Sequence, residues 1–253
     1  MWQRIELDGC GVWQVSHWQG YDWLIHSMTE AAWGNLALHV GDDVDAVLRR
    51  RERLSRALGA ASCSWVLGEQ IHGARCRKVD ISDAGSGEAE QHSALAGLDG
   101  LFTQDRQLLL GALFADCVPL LYVVPNHRIV GIAHAGWRGT AATMASSVVR
   151  SMGETLGINP KEIEVGIGPS IGSCCYPVGT DTASHFSADV LSERDGRVHL
   201  DLVLANTIQL LESGVRETAI YPAGVCTSCN RSFFSYRRDG SKAGRMAALV
   251  LRR

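Results

Sequence analysis

Three residues of metal-binding type, His72, Cys117 and His134, each stand next to a short apolar segment of the chain. Forty-five positions separate the first from the second, and 17 separate the second from the third. A thiolate and two imidazoles can bind zinc and leave a fourth position open for water or substrate, as catalytic zinc sites require. Spacing this wide is weak support, because any one of these residues is more often a packed polar side chain than a ligand.

The residues around the three candidates strengthen the case. Each lies beside an interruption that strand packing does not need: His72-Gly73, Ala115-Asp116-Cys117-Val118-Pro119, and the segment from His134 to Thr140. The last of these places Gly136, Arg138 and Gly139 at the start of a predicted helix, where free N–H groups and the helix dipole favour an anion. Arg138 adds a two-pronged donor suited to phosphate. The alternative, a surface arginine in a turn, is about equally well supported by the sequence.

Two apolar runs, Leu108–Phe114 and Ile129–Ala133, must position Cys117 and His134. Runs of this length that are bounded by Gly, Pro and Asn favour strands covered on both faces. We therefore expect both strands to bring Cys117 and His134 to the same end of one sheet. His72 follows another short apolar run, within Ser62–Gly68.

The rest of the chain predicts alternating strands and helices. Asp42 or Asp43 is the expected N-cap of a helix over Asp43–Leu58, whose apolar residues recur at helical spacing. Polar, patternless residues 81–97 predict an exposed loop that could act as a lid. The remaining predicted strands are residues 35–40, 75–79 and 163–167, the remaining helices are 140–156, 180–192 and 200–213, and 246–251 is a last buried strand or helix.

Composition narrows the function classes. The 253 residues carry a formal net charge of -3 and no long basic cluster, so we expect no nucleic-acid partner. The first residues do not match a signal peptide and no apolar run is long enough to span a bilayer, which predicts a cytoplasmic protein without a membrane partner. The eight cysteines are then expected to be reduced thiols. No linker is visible, so we expect a single domain over 1–253.

Several motifs together resemble a known family. They are GEQIHG, ADCVP, AHAGWRGT, IGPSIGSCCYPVG, the pair Cys226-Thr227, and FFSYRRDG followed by GRM. In this order, from about Asn35 to Met246, they strongly resemble the bacterial family historically labelled multicopper polyphenol oxidoreductase, or laccase-like. Its members are now regarded as zinc-dependent purine nucleoside phosphorylases related to the human purine-metabolising protein nicknamed FAMIN.

The resemblance implies a fold, an activity and a ligand set. The implied fold is an α/β (α+β) layered sandwich of mixed β-sheets with flanking helices. The implied activity is phosphate-dependent cleavage of adenosine, inosine and 5′-methylthioadenosine, with deamination of adenosine as a further activity. It also implies that His72, Cys117 and His134 bind Zn²⁺. The expected partners are therefore small purine nucleosides and phosphate. The protein itself is expected to be a monomer or a weak homodimer.

Other residues are assigned more loosely. Asp116 is the carboxylate nearest to a ligand and a candidate general acid or base, although on a regular strand its side chain would face away from Cys117. The known zinc deaminase signature is absent. Asn35 and His39 are candidates for lining the pocket, with hydrogen bonding at a strand end as the alternative.

Three other functions stay open. A copper-dependent polyphenol oxidase needs many imidazoles, commonly in His-x-His pairs, and none of the nine histidines forms such a pair, so bound copper is expected to be adventitious. Cys117 could instead be the nucleophile of a hydrolase in peptidoglycan maintenance, with His134 or His72 as its base. A non-enzymatic alternative makes Cys226-x-x-Cys229 and Cys174-Cys175 a structural zinc knot, although the sequence lacks the usual double C-x-x-C spacing.

Overall fold

The computed structural model describes all residues from 1 to 253. Fourteen β-strands and six α-helices are joined by loops and short 3-10 turns. The strands are β1 (Trp2–Leu7), β2 (Cys10–Val15), β3 (Leu24–Thr29), β4 (Ser64–Leu67), β5 (Cys76–Lys78), β6 (Gly100–Thr103), β7 (Leu108–Phe114), β8 (Val118–Val124), β9 (Ile129–Ala135), β10 (Glu164–Ile167), β11 (Leu191–Arg194), β12 (Arg197–Leu200), β13 (Ile220–Pro222) and β14 (Met246–Arg252). The helices are α1 (Val44–Ala57), α2 (Trp137–Ala141), α3 (Met144–Leu156), α4 (Thr180–Ala183), α5 (Leu202–Glu212) and α6 (Tyr236–Asp239).

Two six-stranded mixed sheets form the centre of the molecule. The first sheet has the order β1-β2-β3-β14-β7-β4, and only β4 and β7 pair in parallel. The second has the order β13-β10-β8-β9-β6-β5, with parallel pairs at both edges. Strands β11 and β12 form a separate hairpin.

Alternating side chains of the strands build three apolar layers. On β8, Leu121 and Val123 face the layer between the two sheets, whereas Leu120 and Tyr122 face the layer under α3 and α5. Helix α1 covers the outer face of the first sheet through Leu54 and its neighbours. This arrangement is an α/β layered sandwich with flanking helices, and the predicted fold class is confirmed.

Helix α1 forms as its spacing predicts. Its N-cap is Asp43, whose carboxylate accepts a hydrogen bond of 2.7 Å from the N–H of Ala46. The polar face is not wholly solvated, because Arg51 is buried and donates to the carbonyls of Leu36, Gly87 and Glu88. This arginine ties the helix to the loop that contains residues 81–97.

The expected common sheet for Leu108–Phe114 and Ile129–Ala133 is wrong. Both segments are buried strands, but β7 lies in the first sheet and β9 in the second. Between them the chain crosses from one sheet to the other at residues 115–117, with Asp116 at a φ of +90°. It then continues as β8, which the sequence analysis did not separate and which forms a hairpin with β9. An apolar run that is buried on both faces does not encode which sheet it joins.

Three other predicted elements differ from the structure. Residues 35–42 form turns and no strand. The single helix expected over 140–156 is divided into α2 and α3 at Thr143, whose φ is +64°. The helix expected over 180–192 stops after one turn at Ala183, and the end of the predicted range is the first strand of the β11–β12 hairpin. The hairpin turns at Asp195-Gly196, both with positive φ, and an Asp-Gly pair is a local signal for such a turn.

Residues 81–97 contain no strand and no α-helix, as predicted for an exposed loop. No helix of the chain combines the length and the apolar character needed to cross a bilayer.

Candidate metal centre and active site

The three candidate ligands come together from three separate places in the fold. His72 lies in the loop after β4, at a φ of +63°, Cys117 lies where the chain passes between the sheets, and His134 lies on β9. The ligand atoms of the three side chains all lie within 4.8 Å of one another. An imidazole–thiolate–imidazole set of this size fits a zinc ion with an open coordination position.

Asp99, which no sequence motif singled out, contacts two of the three candidate ligands. Its buried carboxylate lies 2.9 Å from Nδ1 of His134 and accepts hydrogen bonds from the backbone N–H groups of His72 and Gly73, at 3.0 and 2.8 Å. Because a carboxylate only accepts, Nδ1 of His134 carries the proton and Nε2 is left for a metal. Carboxylate–histidine pairs of this kind orient metal ligands in many proteins. The only sequence signal was an acidic residue directly before a buried strand.

The electrostatics of Cys117 and His134 are coupled. Burial by itself raises the pKa of the Cys117 thiol, but the charge of His134 and hydrogen bonds from His134 and His72 outweigh burial and lower that pKa to about 6. Burial opposes a charged His134, yet the Cys117 thiolate and Asp99 raise the pKa of His134 to about 9. At neutral pH the sulfur is therefore a thiolate, which is the form that binds metals.

Two glycines of the AHAGWRGT segment allow close approach around the ligands. A Cβ atom on Gly136 would lie 3.0 Å from Sγ of Cys117 and 3.0 Å from Cδ2 of His72. A Cβ atom on Gly139 would lie 2.7 Å from the carbonyl oxygen of Gly73. Gly136 therefore packs directly behind two candidate ligands and Gly139 behind the loop that carries His72, and neither glycine lines the open cavity.

The three ligands lie at a cavity of about 440 Å³. Its wall combines aromatic, acidic and basic side chains, and its volume falls within the range of small-molecule sites. The lining residues are His39, Glu69, Gln70, His72, Leu113, Ala115, Asp116, Cys117, His134, Trp137, Arg138, Ile171, Tyr176, Leu202, Tyr236, Arg237 and Arg245.

Three arginines line the cavity, and they differ in how their guanidinium groups are used. Arg237 donates to the carbonyl of Pro177 and lies over the ring of Tyr176. Arg245 donates to the carbonyls of Ala243 and Gly244, and burial lowers its pKa. The guanidinium of Arg138 makes no hydrogen bond within the chain and lies 4.3 Å from the ring centroid of Trp137. Its donors are therefore free to bind an anion.

Asp116 lines the cavity but is fully engaged by neighbouring groups. Its Oδ1 accepts a hydrogen bond of 2.6 Å from Thr227, and its Oδ2 accepts from the hydroxyl of Ser235 at 3.0 Å and from the N–H of Arg237 at 2.6 Å. Because the backbone at Asp116 is left-handed, side chains do not alternate here as they do along a regular strand, and Asp116 does not face away from the cavity as predicted. The contacts hold the segment from Thr227 to Arg237 against the cavity.

The two remaining candidates are placed differently. Asn35 does not line the cavity; its side chain bonds the backbone of Ala37 and Arg245 and the carboxylate of Asp42. His39 does line the cavity, and its Nδ1 lies 3.1 Å from Oε1 of Gln91. No residue of 81–97 lines the cavity, so Gln91 is the point where that loop approaches it.

Fold and site define a layered α/β protein with a Cys-His-His centre in an arginine-lined cavity. Residues 26–253 match the family described as multi-copper polyphenol oxidoreductase laccase. The chain belongs to this family, and the resemblance recognised in its motifs is confirmed.

Known relatives extend over most of the chain. The purine nucleoside phosphorylase YlmD of Geobacillus stearothermophilus is 42% identical over 228 residues, which cover 87% of this chain and 83% of the relative. The adenosine deaminase RL5 of an unknown prokaryotic organism is 35% identical and covers 87% of each chain. The crystal structure of the Bacillus licheniformis hypothetical protein YfiH has a TM-score of 0.91, 33% identity and 98% coverage of both chains. The protein is therefore an enzyme.

Proposed function

We propose that the protein is a zinc-dependent purine nucleoside phosphorylase that cleaves adenosine, inosine and 5′-methylthioadenosine with phosphate and also deaminates adenosine. The observation that carries the proposal is the placement of a metal-type centre and a free arginine, Arg138, on the wall of one cavity of nucleoside size. The names of the relatives agree with both activities.

His72, Cys117 and His134 would hold the zinc. Asp99 fixes the tautomer of His134 that leaves Nε2 available to the ion. When bound, zinc supplies Lewis acidity at its open position. A thiolate with two imidazoles favours zinc or copper, and the cavity offers only His39 as a further imidazole, so we propose that any bound copper is adventitious.

The chain's own residues have separate tasks in phosphorolysis. The reaction breaks the C1′–N9 bond, forms a bond from C1′ to a phosphate oxygen, and delivers a proton to the departing purine. Arg138 would hold the phosphate. Its guanidinium donors have no partner within the chain, and two parallel N–H groups of a guanidinium match two oxygens of a phosphate. Trp137, Tyr176 and Tyr236 give the cavity flat apolar surfaces on which a purine can stack.

Tyr176 is a candidate hydrogen-bond donor to the substrate. Burial, followed by the charge of Cys117, raises the pKa of Tyr176 to about 12. Its hydroxyl therefore stays protonated at neutral pH and can donate a hydrogen bond, whereas a pKa this high makes it a weak general acid. Asp116 would act by positioning the Thr227–Arg237 wall, since both of its oxygens already accept hydrogen bonds.

We further propose that residues 1–253 act as one cytoplasmic domain, as a monomer or weak homodimer, on small-molecule substrates without a nucleic-acid or membrane partner. The net charge of -3 supports the absence of a polyanionic partner.

A chromatographic assay of zinc-loaded, copper-free protein with adenosine tests the function. Adenine should form only when phosphate is present, inosine should form by release of ammonia, and Cys117→Ala should lose both products. Replacing the nucleoside by inosine or 5′-methylthioadenosine should release hypoxanthine or methylthioadenine. Adenine release that does not depend on phosphate would reject phosphorolysis.

Arg138→Ala tests the phosphate site. Loss of charged hydrogen bonds should raise the Michaelis constant for phosphate on the order of tenfold or more, with a smaller effect on that for adenosine. Arg106→Ala, an exposed arginine before β7, is the matched control and should behave as the wild type. An unchanged phosphate Michaelis constant in Arg138→Ala would remove the assigned role.

One observation favours a second candidate function. Cys117, His134 and Asp99 form a nucleophile–base–orienting series, with Asp99 on Nδ1 of His134, as in cysteine hydrolases. His72 beside both Cys117 and His134 favours the metal instead. Cleavage of a peptidoglycan-type amide by metal-free protein, together with no purine product, would decide for the hydrolase.

A further inference from the structure

A second cluster of metal-type side chains lies outside the Cys-His-His centre. Cys174 and Cys175 lie in a 3-10 turn after β10, and Cys226 and Cys229 lie in the loop after β13. The four sulfur atoms all lie within 4.8 Å of one another, with Cys175 to Cys229 at 3.2 Å and Cys174 to Cys229 at 3.5 Å. Two segments more than 50 residues apart in sequence therefore bring four thiols to one point.

Packing does not explain this cluster. Cysteine without a ligand is typically a buried small apolar residue with weak hydrogen bonding. Here Cys174 and Cys229 are exposed, and Cys175 and Cys226 are only partly buried. Four thiols at the surface gain little from one another in packing or hydrogen bonding.

The sulfur separations match those of a tetrahedral tetrathiolate site. A Zn–S bond of about 2.3 Å places tetrahedral sulfurs about 3.8 Å apart. The two closest pairs, at 3.2 and 3.5 Å, are slightly shorter than this distance, and all four sulfurs lie within 4.8 Å of one another, so a small outward movement of the sulfurs would accommodate the ion. The backbone N–H of Gly172 also points at Sγ of Cys226, at 3.2 Å, a contact that stabilises a thiolate.

The two segments that carry the cysteines form part of the cavity wall. Ile171 and Tyr176 line the cavity on either side of Cys174 and Cys175. Thr227, next to Cys226, donates its N–H to the carbonyl of Ser170 at 3.0 Å and its hydroxyl to Asp116. A link between the two segments would therefore hold this wall in place.

We propose that Cys174, Cys175, Cys226 and Cys229 bind a second zinc ion, with a structural role, in a closed tetrathiolate site. All four positions around the ion are taken by sulfur, so this ion has no open place for substrate. Its effect is to join the segment around Cys174 to the segment around Cys226. The inference does not depend on the reaction that the cavity catalyses.

Metal content per chain tests the second site. Protein prepared with zinc under reducing conditions should carry two zinc ions, Cys117→Ala should keep one, and the double variant Cys174→Ser/Cys229→Ser should also keep one. The triple variant should carry none. Cys63→Ser, which changes a half-buried cysteine outside both clusters, is the matched control and should keep two.

The cobalt spectrum of Cys117→Ala gives a second measurement on a chain whose cysteine cluster is intact. Cobalt in that variant should give the sulfur-to-metal charge-transfer bands of a tetrathiolate site. If wild type and Cys117→Ala both carry one zinc and the double cysteine variant carries none, the second site stands while the zinc at His72, Cys117 and His134 fails. The two proposals are therefore separable.

Three results would overturn the inference. Zinc absent from Cys117→Ala, together with no tetrathiolate cobalt spectrum, would show that the cluster binds no metal. Iron in the cluster in place of zinc would reject the ion proposed. The third result is a thiol count in denatured protein that was purified without reductant and then loaded with zinc. Six free thiols in place of eight would show that a disulfide such as Cys175–Cys229 replaces the metal.

Discussion

Asp99 shows how a single residue organises the candidate centre. It orients the ring of His134 and, through the N–H groups of His72 and Gly73, holds the loop that carries the third ligand. Its own backbone carbonyl accepts from the N–H of His134 at 2.8 Å. One buried residue therefore contacts two of the three places from which the ligands come.

Asp99→Asn should weaken zinc binding by about 10- to 100-fold, as loss of an orienting carboxylate typically does. An amide cannot accept all three N–H groups, because one end of its side chain is a donor. Competition with a chelator of known affinity measures the change. Asp105→Asn, which changes a carboxylate that accepts from the N–H of Ile81 outside the site, is the control. Equal zinc affinity in Asp99→Asn and wild type would contradict the orienting role.

Gly136→Ala should also lower zinc affinity, with little effect on thermal stability. The added methyl would lie 3.0 Å from both Sγ of Cys117 and Cδ2 of His72, so the ligands must move apart. The same chelator competition, with the melting temperature of the metal-free protein, measures both effects. Gly153→Ala in α3 adds a methyl with ordinary contacts and should leave zinc affinity unchanged. Unaltered affinity in Gly136→Ala would show that the ligands tolerate the contact.

At the scale of elements, a buried histidine joins two strands of the first sheet. Nε2 of His26 on β3 accepts a hydrogen bond of 2.9 Å from the N–H of Val15 on β2, and the ring contacts Trp18 edge-on. Burial lowers the pKa of His26 to about 4. The imidazole is therefore neutral in the folded protein and serves as an acceptor in the strand pairing.

His26 makes stability depend on pH. Between its ordinary pKa of about 6.5 and its folded value of about 4, the unfolded chain binds a proton that the folded chain does not. This group therefore lowers the free energy of unfolding as pH falls through that window, by on the order of 3 kcal/mol in total. His26→Gln should flatten this part of the profile.

Urea unfolding of metal-free wild type and His26→Gln, at about pH 7 and about pH 4, measures the effect. The difference between the two pH values should be smaller in the variant, whatever its stability at about pH 7. His92→Gln, in the exposed loop, controls for the loss of an imidazole. A profile in His26→Gln as steep as in wild type would assign the acid sensitivity to other groups.

At the scale of the whole molecule, aromatic side chains join the two sheets along one edge. Glu164 on β10 accepts hydrogen bonds from Nε1 of Trp18 at 2.6 Å and from the hydroxyl of Tyr21 at 2.9 Å, both in the connection between β2 and β3. Trp2 on β1 donates to the carbonyl of Tyr221 on β13 at 2.6 Å. These bonds fix how the first sheet lies on the second.

Glu164→Gln should destabilise the protein by about 1–2 kcal/mol. The amide can still accept from Nε1 of Trp18 and donate to the hydroxyl of Tyr21, but both hydrogen bonds lose the charge of the carboxylate, and charged hydrogen bonds are roughly twice as strong as neutral ones. The free energy of unfolding in urea gives the change. Glu154→Gln, which alters an exposed carboxylate on α3, should have no measurable effect. A variant at position 164 as stable as wild type would mean that the charge of Glu164 does not contribute to holding the sheets together.

Local pattern was sufficient for much of the fold. The helical spacing and the Asp43 cap predicted α1 to within one residue at each end, and the apolar runs predicted β7, β9 and β14 as buried segments. Such signals are contained in windows of about ten residues, where side-chain direction repeats with the period of the element. The family motifs added three candidate metal ligands, His72, Cys117 and His134.

The tertiary structure alone decided the rest. Whether β7 and β9 share a sheet depends on pairing between distant strands, and side chains buried on both faces give no direction to that choice. Asp99 and the four clustered cysteines acquire their partners only when distant segments meet. By itself the sequence determined many of the elements, the candidate ligands and the family, because these depend on local pattern and composition. The cavity and both metal-type clusters depend on contacts between distant segments, which local pattern does not encode.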